Sequence, residues 1–219
     1  MRMKSYDSRD GKRVWLSSNE IEQILENTDT TEQRIALKLM VRCGLRRSEV
    51  TQVCLKDLVT SESGTTYLRI WEENSKSGKY RETPVSNLLM TEISTYVELQ
   101  DLDADTAVID VSDKTVYRWV KKAARECYED SGDEGWLEVD AHDLRRTWGT
   151  QLLSDGVLPS VVMSWGGWQD WDTFRDHYLG EFSPEVLDRE RGKCSWLEGD
   201  VDVRDDESQQ CIAVSAEGT

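Results

Sequence analysis

Histidine is scarce in this chain of 219 residues: only His142 and His177 are present, which excludes a histidine-rich zinc site. The five cysteines, Cys43, Cys54, Cys127, Cys194 and Cys211, are widely separated and form no close metal-binding pair, and their odd number argues against a disulfide scaffold. Cys43 closes an apolar helical pattern and is expected to pack in the core. No stretch approaches the roughly 18 apolar residues of a membrane helix, and no apolar run follows Met1–Lys4 as in a secretion signal. We therefore expect a cytoplasmic protein with no membrane partner. Positive charge is short as well, with 27 Lys and Arg against 43 Asp and Glu and a formal net charge of -16. That balance argues at first sight against nucleic acid. An average hides a local basic cleft, however, because phosphate recognition depends on where Arg and Lys converge. Acids spread through the whole chain, together with few lysines, lead us to expect a halophilic protein, kept soluble at high salt.

The chain is long enough for a real core in one large domain or two small ones. Residues 1–15 read as an irregular lead-in. Ser17 with Glu20 forms a capping box, with Leu16 set to pack on Ile21. A second helix starts near Thr30 and runs through Ile35, Leu39, Met40 and Cys43 to a stop at Gly44. Thr66–Trp71 and Tyr80–Val85 favour two strands of a hairpin with a basic tip, and Pro84 places the second at an edge or turn. Helix returns from Asn87 to about Glu98, and an acidic connection crosses Asp101–Asp110. A helix capped by Ser112 then runs to about Tyr128, with Arg118, Lys121, Lys122 and Arg125 on a basic face that serves either as solvated surface or as phosphate contact. A further helix begins near Ala141 and carries Leu144, Trp148 and Leu152. There is no internal repeat and no alternation of strand and helix, so the fold class is mostly α with a small antiparallel β-sheet. The expected division is a lead-in over 1–15, a main domain over 16–194, and an acidic tail over 195–219 that is either flexible or docked through Trp196 and Leu197.

Arg46, after the stop at Gly44, presents a planar guanidinium suited to two phosphate oxygens. His142 and Arg145 are three residues apart on a helix, so imidazole and guanidinium can share a face, bind phosphate and move a proton. A structural contact for His142 fits the same spacing.

The segments Gly44-Leu45-Arg46-Arg47-Ser48-Glu49 and His142-Asp143-Leu144-Arg145-Arg146-Thr147 resemble the two arginine boxes of tyrosine site-specific recombinases of the phage-integrase family. Lys76-Ser77-Gly78-Lys79-Tyr80-Arg81 resembles the hairpin bearing that family's lysine, with Lys76 the better match and Lys79 a substitute. Gly166-Gly167-Trp168 resembles the next box, and His177-Tyr178-Leu179-Gly180 resembles the nucleophile segment, with one extra residue between Trp168 and Tyr178. The likeness covers residues 15–180. It implies the tyrosine recombinase catalytic-domain fold and a catalytic set of Arg46, Lys76, His142, Arg145, Trp168 and Tyr178.

Those side chains suit attack on phosphate. Tyr178 would be the nucleophile, and Arg46, Arg145 and the Trp168 indole N–H would stabilise the nonbridging oxygens. Lys76 would protonate the leaving oxygen, while His142 would orient phosphate and help move the nucleophile's proton. The resemblance implies a 3' phosphotyrosine on double-stranded DNA, formed without cofactor or metal, and strand exchange in a tetrameric synapse. It also implies a DNA-embracing N-terminal domain that this sequence does not supply, so the expectation is a minimal recombinase, a truncated gene product, or a chain that uses a separate DNA-binding partner to close the clamp. A noncatalytic DNA-binding regulator and a topoisomerase-like relaxing enzyme are the alternative readings.

Overall fold

Five side chains, Ser17, Thr30, Ser86, Ser112 and Asp140, each accept a backbone N–H at the start of a helix and so fix where the helices begin. The computed structural model describes residues 1–6, 10–75, 78–175 and 184–194. The element order is β1 (Arg2–Ser5), β2 (Lys12–Trp15), α1 (Ser18–Glu26), α2 (Thr31–Cys43), α3 (Arg47–Val50), β3 (Leu58–Thr60), β4 (Thr66–Ile70), β5 (Arg81–Val85), α4 (Asn87–Leu99), α5 (Asp113–Ser131), α6 (Gly135–Glu138), α7 (Ala141–Ser154), α8 (Pro159–Gly166), α9 (Trp171–Phe174) and α10 (Pro184–Arg191). The class is the expected one, mostly helical with small antiparallel sheets. The chain divides into Met1–Gly180 and Glu181–Thr219, and α10 belongs to the second unit. The expected boundaries after residues 15 and 194 do not coincide with that division. The tail over 195–219 lies outside the described residues.

The expected hairpin is present, with Ile70 opposite Arg81 and Tyr67 opposite Pro84. Pro84 sits on the edge strand of a three-stranded sheet ordered β3-β4-β5, where its missing N–H costs no central ladder bond. Strand β3 was not expected, being only three residues long and preceded by a single turn of 3-10 helix at Leu55–Asp57. The acidic connection is more ordered than its composition suggests. Val108 donates its N–H to the Val53 carbonyl at 2.8 Å, and Val108 and Ile109 are buried.

Within the expected irregular lead-in over 1–15, Arg2–Ser5 and Lys12–Trp15 are strands. Strands β1 and β2 pair antiparallel, with Arg2 opposite Trp15 and Lys4 opposite Arg13. Helix α7 holds the second strand: Val14 N–H donates to Asp143 Oδ1 at 3.2 Å and Leu16 N–H to Thr147 Oγ1 at 3.0 Å. Asp143 also pairs with Arg146 and accepts the Asp140 N–H at 2.9 Å. The hairpin is thus fixed by α7 side chains, which no local propensity signals.

The main core runs through α1, α2, α4, α5 and the inner face of the three-stranded sheet, and Cys43 packs in it as expected. Burial pushes the Cys43 thiol up to about 12. Helix α2 ends at Gly44, whose φ of 69° is left-handed, and a Cβ there would stand 2.2 Å from Trp148 Cε3. Gly132 ends α5 with a φ of 72° and open space around its Cα. Gly132→Ala should therefore cost about 1 kcal/mol, the left-handed backbone penalty alone. Gly44→Ala adds overpacking against Trp148 and should cost about 2–5 kcal/mol. Chemical denaturation of both variants checks the difference, and equal losses would show that Trp148 yields freely.

Candidate phosphate-binding site

The site is built on the ends of two helices. Arg145 on α7 is 0 % exposed, and its guanidinium donates to the carbonyls of Gly44, at the end of α2, and Gly166, at the end of α8. Helix C-termini carry unpaired carbonyls and partial negative charge, so a cation is favoured there. The guanidinium carbon also lies 4.3 Å from the centre of the Trp168 ring. Trp168 in turn stacks on Trp148 at 5.9 Å and tilts against Phe174 at 5.3 Å. A Cβ on Gly166 would fall 1.8 Å from Trp168 Cζ3, so this approach requires glycine.

Glu49 of α3 organises the neighbouring cations. It is 2 % exposed, and its carboxylate accepts from Arg46 Nη1 at 2.7 Å and from Arg81 Nη1 and Nη2 at 3.0 and 2.7 Å. It also accepts the Arg46 backbone N–H at 2.8 Å, fixing the start of its own helix. Arg81 reaches from β5 and donates Nε–H to the Trp165 carbonyl at 3.0 Å. Its chain packs under Gly167, where a Cβ would come within 2.9 Å of Arg81 Cδ. Burial alone would raise the Glu49 carboxyl, but the Arg81 hydrogen bonds and the positive charge of Arg81, Arg145 and Arg46 outweigh it and hold the group below the usual carboxylate range.

His142, in the first turn of α7, stays open to solvent on its outer surface while Arg145, three residues on, is buried. The helix-end carbonyls draw the Arg145 guanidinium inward, while His142 remains at the surface within reach of its charge. The imidazole is pushed down to about 4 by desolvation from the packed protein around it and by the positive charge of Arg146, Arg145 and Arg46. Given the open outer surface, the ring of guanidinium groups is the cause that hydration leaves in place. At neutral pH His142 is uncharged within a cationic cluster, an arrangement suited to an anion.

Arg46, His142, Arg145 and Trp168 thus gather at one place. Lys76, Tyr178 and the neighbouring His177 lie outside the described residues. Lys79 is exposed beside the hairpin tip. Of the basic face on α5, Lys121 donates to the carbonyls of Leu137 and Val139, and Lys122 pairs with Asp29, whereas Arg118 and Arg125 are exposed. Glu49 and Arg81 were not anticipated as site residues. The spacing of Glu49 three residues after Arg46 carried the signal for the first, and the pairing of Arg81 across 32 residues left none for the second. Among the described residues, no group of three or more His, Cys, Asp or Glu is placed to hold a metal, and no helix is long and apolar enough to cross a membrane.

A phage integrase family model matches residues 14–182. The chain is 28 % identical over 155 residues to the tyrosine recombinase XerA of Pyrococcus horikoshii, covering 67 % of this chain and 50 % of that protein. It therefore spans about half the length of the curated relatives it matches. A crystal structure of XerA recombinase superposes with a TM-score of 0.63 at 18 % identity, covering 82 % of this chain and 64 % of the other. A structure of XerH site-specific recombinase bound to palindromic difH substrate in a post-cleavage complex gives 0.62 at 20 % identity, covering 81 % and 52 %. These likenesses show the catalytic-domain fold.

Two measurements probe the site. The His142 resonance should titrate near pH 4 in the free protein and move upward when inorganic phosphate is added, since an anion offsets the surrounding positive charge; a midpoint near 6.5 in both states would overturn the cationic cluster. Glu49 carries a lowered folded value, so its stabilisation is present above the ordinary carboxylate range and is lost as pH falls through that lowered value. Glu49→Gln should lower stability at neutral pH and flatten the acid limb of the stability profile, read from urea midpoints across pH.

Proposed function

The chain belongs to the phage integrase family, and from that premise we propose that it cleaves and rejoins double-stranded DNA through a phosphotyrosine at Tyr178. The observation that carries the reading is the gathering of Arg46, His142, Arg145 and Trp168, drawn from widely separated segments, around one cationic place. No other described feature calls for so many guanidinium groups about a neutral imidazole in a chain of net charge -16.

In this mechanism Arg46 and Arg145 supply positive charge to the nonbridging oxygens of the scissile phosphate. The Trp168 ring holds the Arg145 guanidinium in place, and its indole N–H is a further donor. His142, neutral before DNA arrives, orients the phosphate and takes the proton leaving the Tyr178 phenol. The phenol oxygen bonds to phosphorus, the bond to the 5' oxygen breaks, and Lys76 protonates that oxygen. The product is a 3' phosphotyrosine and a free 5' hydroxyl, which reverses the reaction or attacks a second phosphotyrosine. The covalent link conserves the ester, so the mechanism uses no cofactor and no metal.

Strand exchange on two duplexes calls for self-association in a tetrameric synapse, with the segment over 195–219 as the docking element. A further DNA-binding module, carried on a longer polypeptide or a separate partner, would complete the clamp. The acidic composition supports work in a halophilic cytoplasm, where hydrated carboxylates keep the protein dispersed.

The nucleophile is tested with a nicked suicide duplex, denaturing electrophoresis and peptide mapping. The unmodified protein should form a covalent adduct on Tyr178, and Tyr178→Phe should bind DNA and form none. Arg46→Ala should lose cleavage through lost charge stabilisation, by roughly 100-fold or more. An undiminished adduct in Tyr178→Phe, or DNA mapped to another residue, sinks the mechanism; relaxation of supercoiled plasmid without recombinant junctions would favour a topoisomerase.

A further inference from the structure

The first 15 residues run against the charge of the rest of the chain. They hold five cations, Arg2, Lys4, Arg9, Lys12 and Arg13, against two carboxylates, Asp7 and Asp10, in a protein of net charge -16. Apart from residues 14 and 15, they also lie outside the segment that the family model matches. The pairing of β1 with β2 sorts these charges by face. Side chains opposite each other in an antiparallel pair share a face, and so do residues two apart on one strand. Arg2, Lys4, Arg13 and Trp15 therefore stand on one side, and Met3, Ser5, Lys12 and Val14 on the other. The second side packs inward through the buried Val14, and its Lys12 meets Glu138 at 3.4 Å. The first side holds three cations around one tryptophan.

Helix α7 links this face to the candidate phosphate site. Arg146, one turn beyond His142, donates to the Tyr6 hydroxyl at 3.4 Å and lies 5.7 Å from the centre of the Trp15 ring. Arg2 lies over the same ring at 4.4 Å, and Arg13 over Tyr6 at 5.1 Å. The aromatic rings separate and orient like charges, so a cationic strip runs outward from His142 along the hairpin. Every residue of β1 is exposed. Lys4 stands directly opposite Arg13, and the Arg13 Nε is buried with no hydrogen-bond partner among the described residues. A four-residue strand extends about 13 Å, and duplex DNA carries one charge per roughly 1.7 Å of its axis, so the strip faces several phosphates at once.

We propose that the β1–β2 hairpin is a second DNA-backbone contact, in which Arg2, Lys4 and Arg13 take phosphates flanking the one held at Arg46, His142 and Arg145. The inference rests on the reading of the chain as a DNA-cleaving enzyme and adds a region that the family resemblance does not cover. Contacts of this kind position a duplex and carry no base specificity. The hairpin therefore contributes affinity and salt dependence evenly across sequences.

The test is fluorescence anisotropy with duplexes of unrelated sequence, measured across KCl concentrations at which circular dichroism shows the protein folded. Arg2→Gln with Lys4→Gln should weaken binding about tenfold on every sequence and reduce the slope of log affinity against log salt by about two. Arg2→Lys with Lys4→Arg keeps the charges and should restore both quantities. Unchanged slope in the glutamine double variant, or failure of the charge-conserving variant to rescue it, overturns the hairpin contact while a Tyr178 adduct in the wild type leaves the enzymatic reading standing. Absence of any duplex binding by the wild type overturns both. Capture by vesicles containing anionic lipid, with no duplex binding lost in the glutamine variant, would assign the strip to a membrane surface and overturn the proposal.

Discussion

The fold of the candidate site depends on one buried cation. Arg145 is closed off from solvent, and its guanidinium ties together the C-terminal carbonyls of α2 and α8 while resting on Trp168. Two helix ends that would otherwise bury unpaired carbonyls are satisfied by the same side chain. Removing it would leave both ends without a partner in a packed interior, which is why such a group is costly to break even when its net contribution to stability is small. The glycines at these ends follow from the same geometry, since any Cβ at Gly44 or Gly166 would occupy the space of a tryptophan ring.

A second balance keeps the other charges in order. Glu49 is a single buried carboxylate among Arg46, Arg81 and Arg145, so positive charge exceeds negative and the excess falls on the open side at His142. A second acid beside Glu49 would cut the excess over these three arginines from two charges to one and weaken the attraction for an anion. Arg81 extends the arrangement into β5 and the turn after Trp165, so strand, short helix and helix end are fixed relative to one another by hydrogen bonds rather than by apolar packing alone.

Much of this was readable in advance, and the division has a physical basis. Caps at Ser17, Thr30 and Ser112, the stop at Gly44 and the hairpin around Lys79 are local features, set by residues within a turn or two of one another. The boxes around Arg46, His142 and Trp168 were legible through resemblance. Distant pairings were not. The N-terminal hairpin takes its order from Asp143, Thr147 and Arg146, more than 120 residues away, and its strands show no alternation of apolar side chains that would announce them. The burial of Arg145 was missed for the same reason. Helical spacing gives the face from which a side chain starts, but the carbonyls that attract its end belong to other segments.

The exposed strand β1 also bears on how copies of this chain meet in concentrated solution. A short two-stranded sheet offers its outer backbone groups to any passing strand, and open edges of this kind are templates for pairing between molecules. Here the edge alternates with Arg2 and Lys4, so a second copy approaching in register would bring like charges together before its backbone could bond. Local repulsion at this edge therefore opposes strand pairing between copies, while the net charge of -16 opposes their approach as a whole.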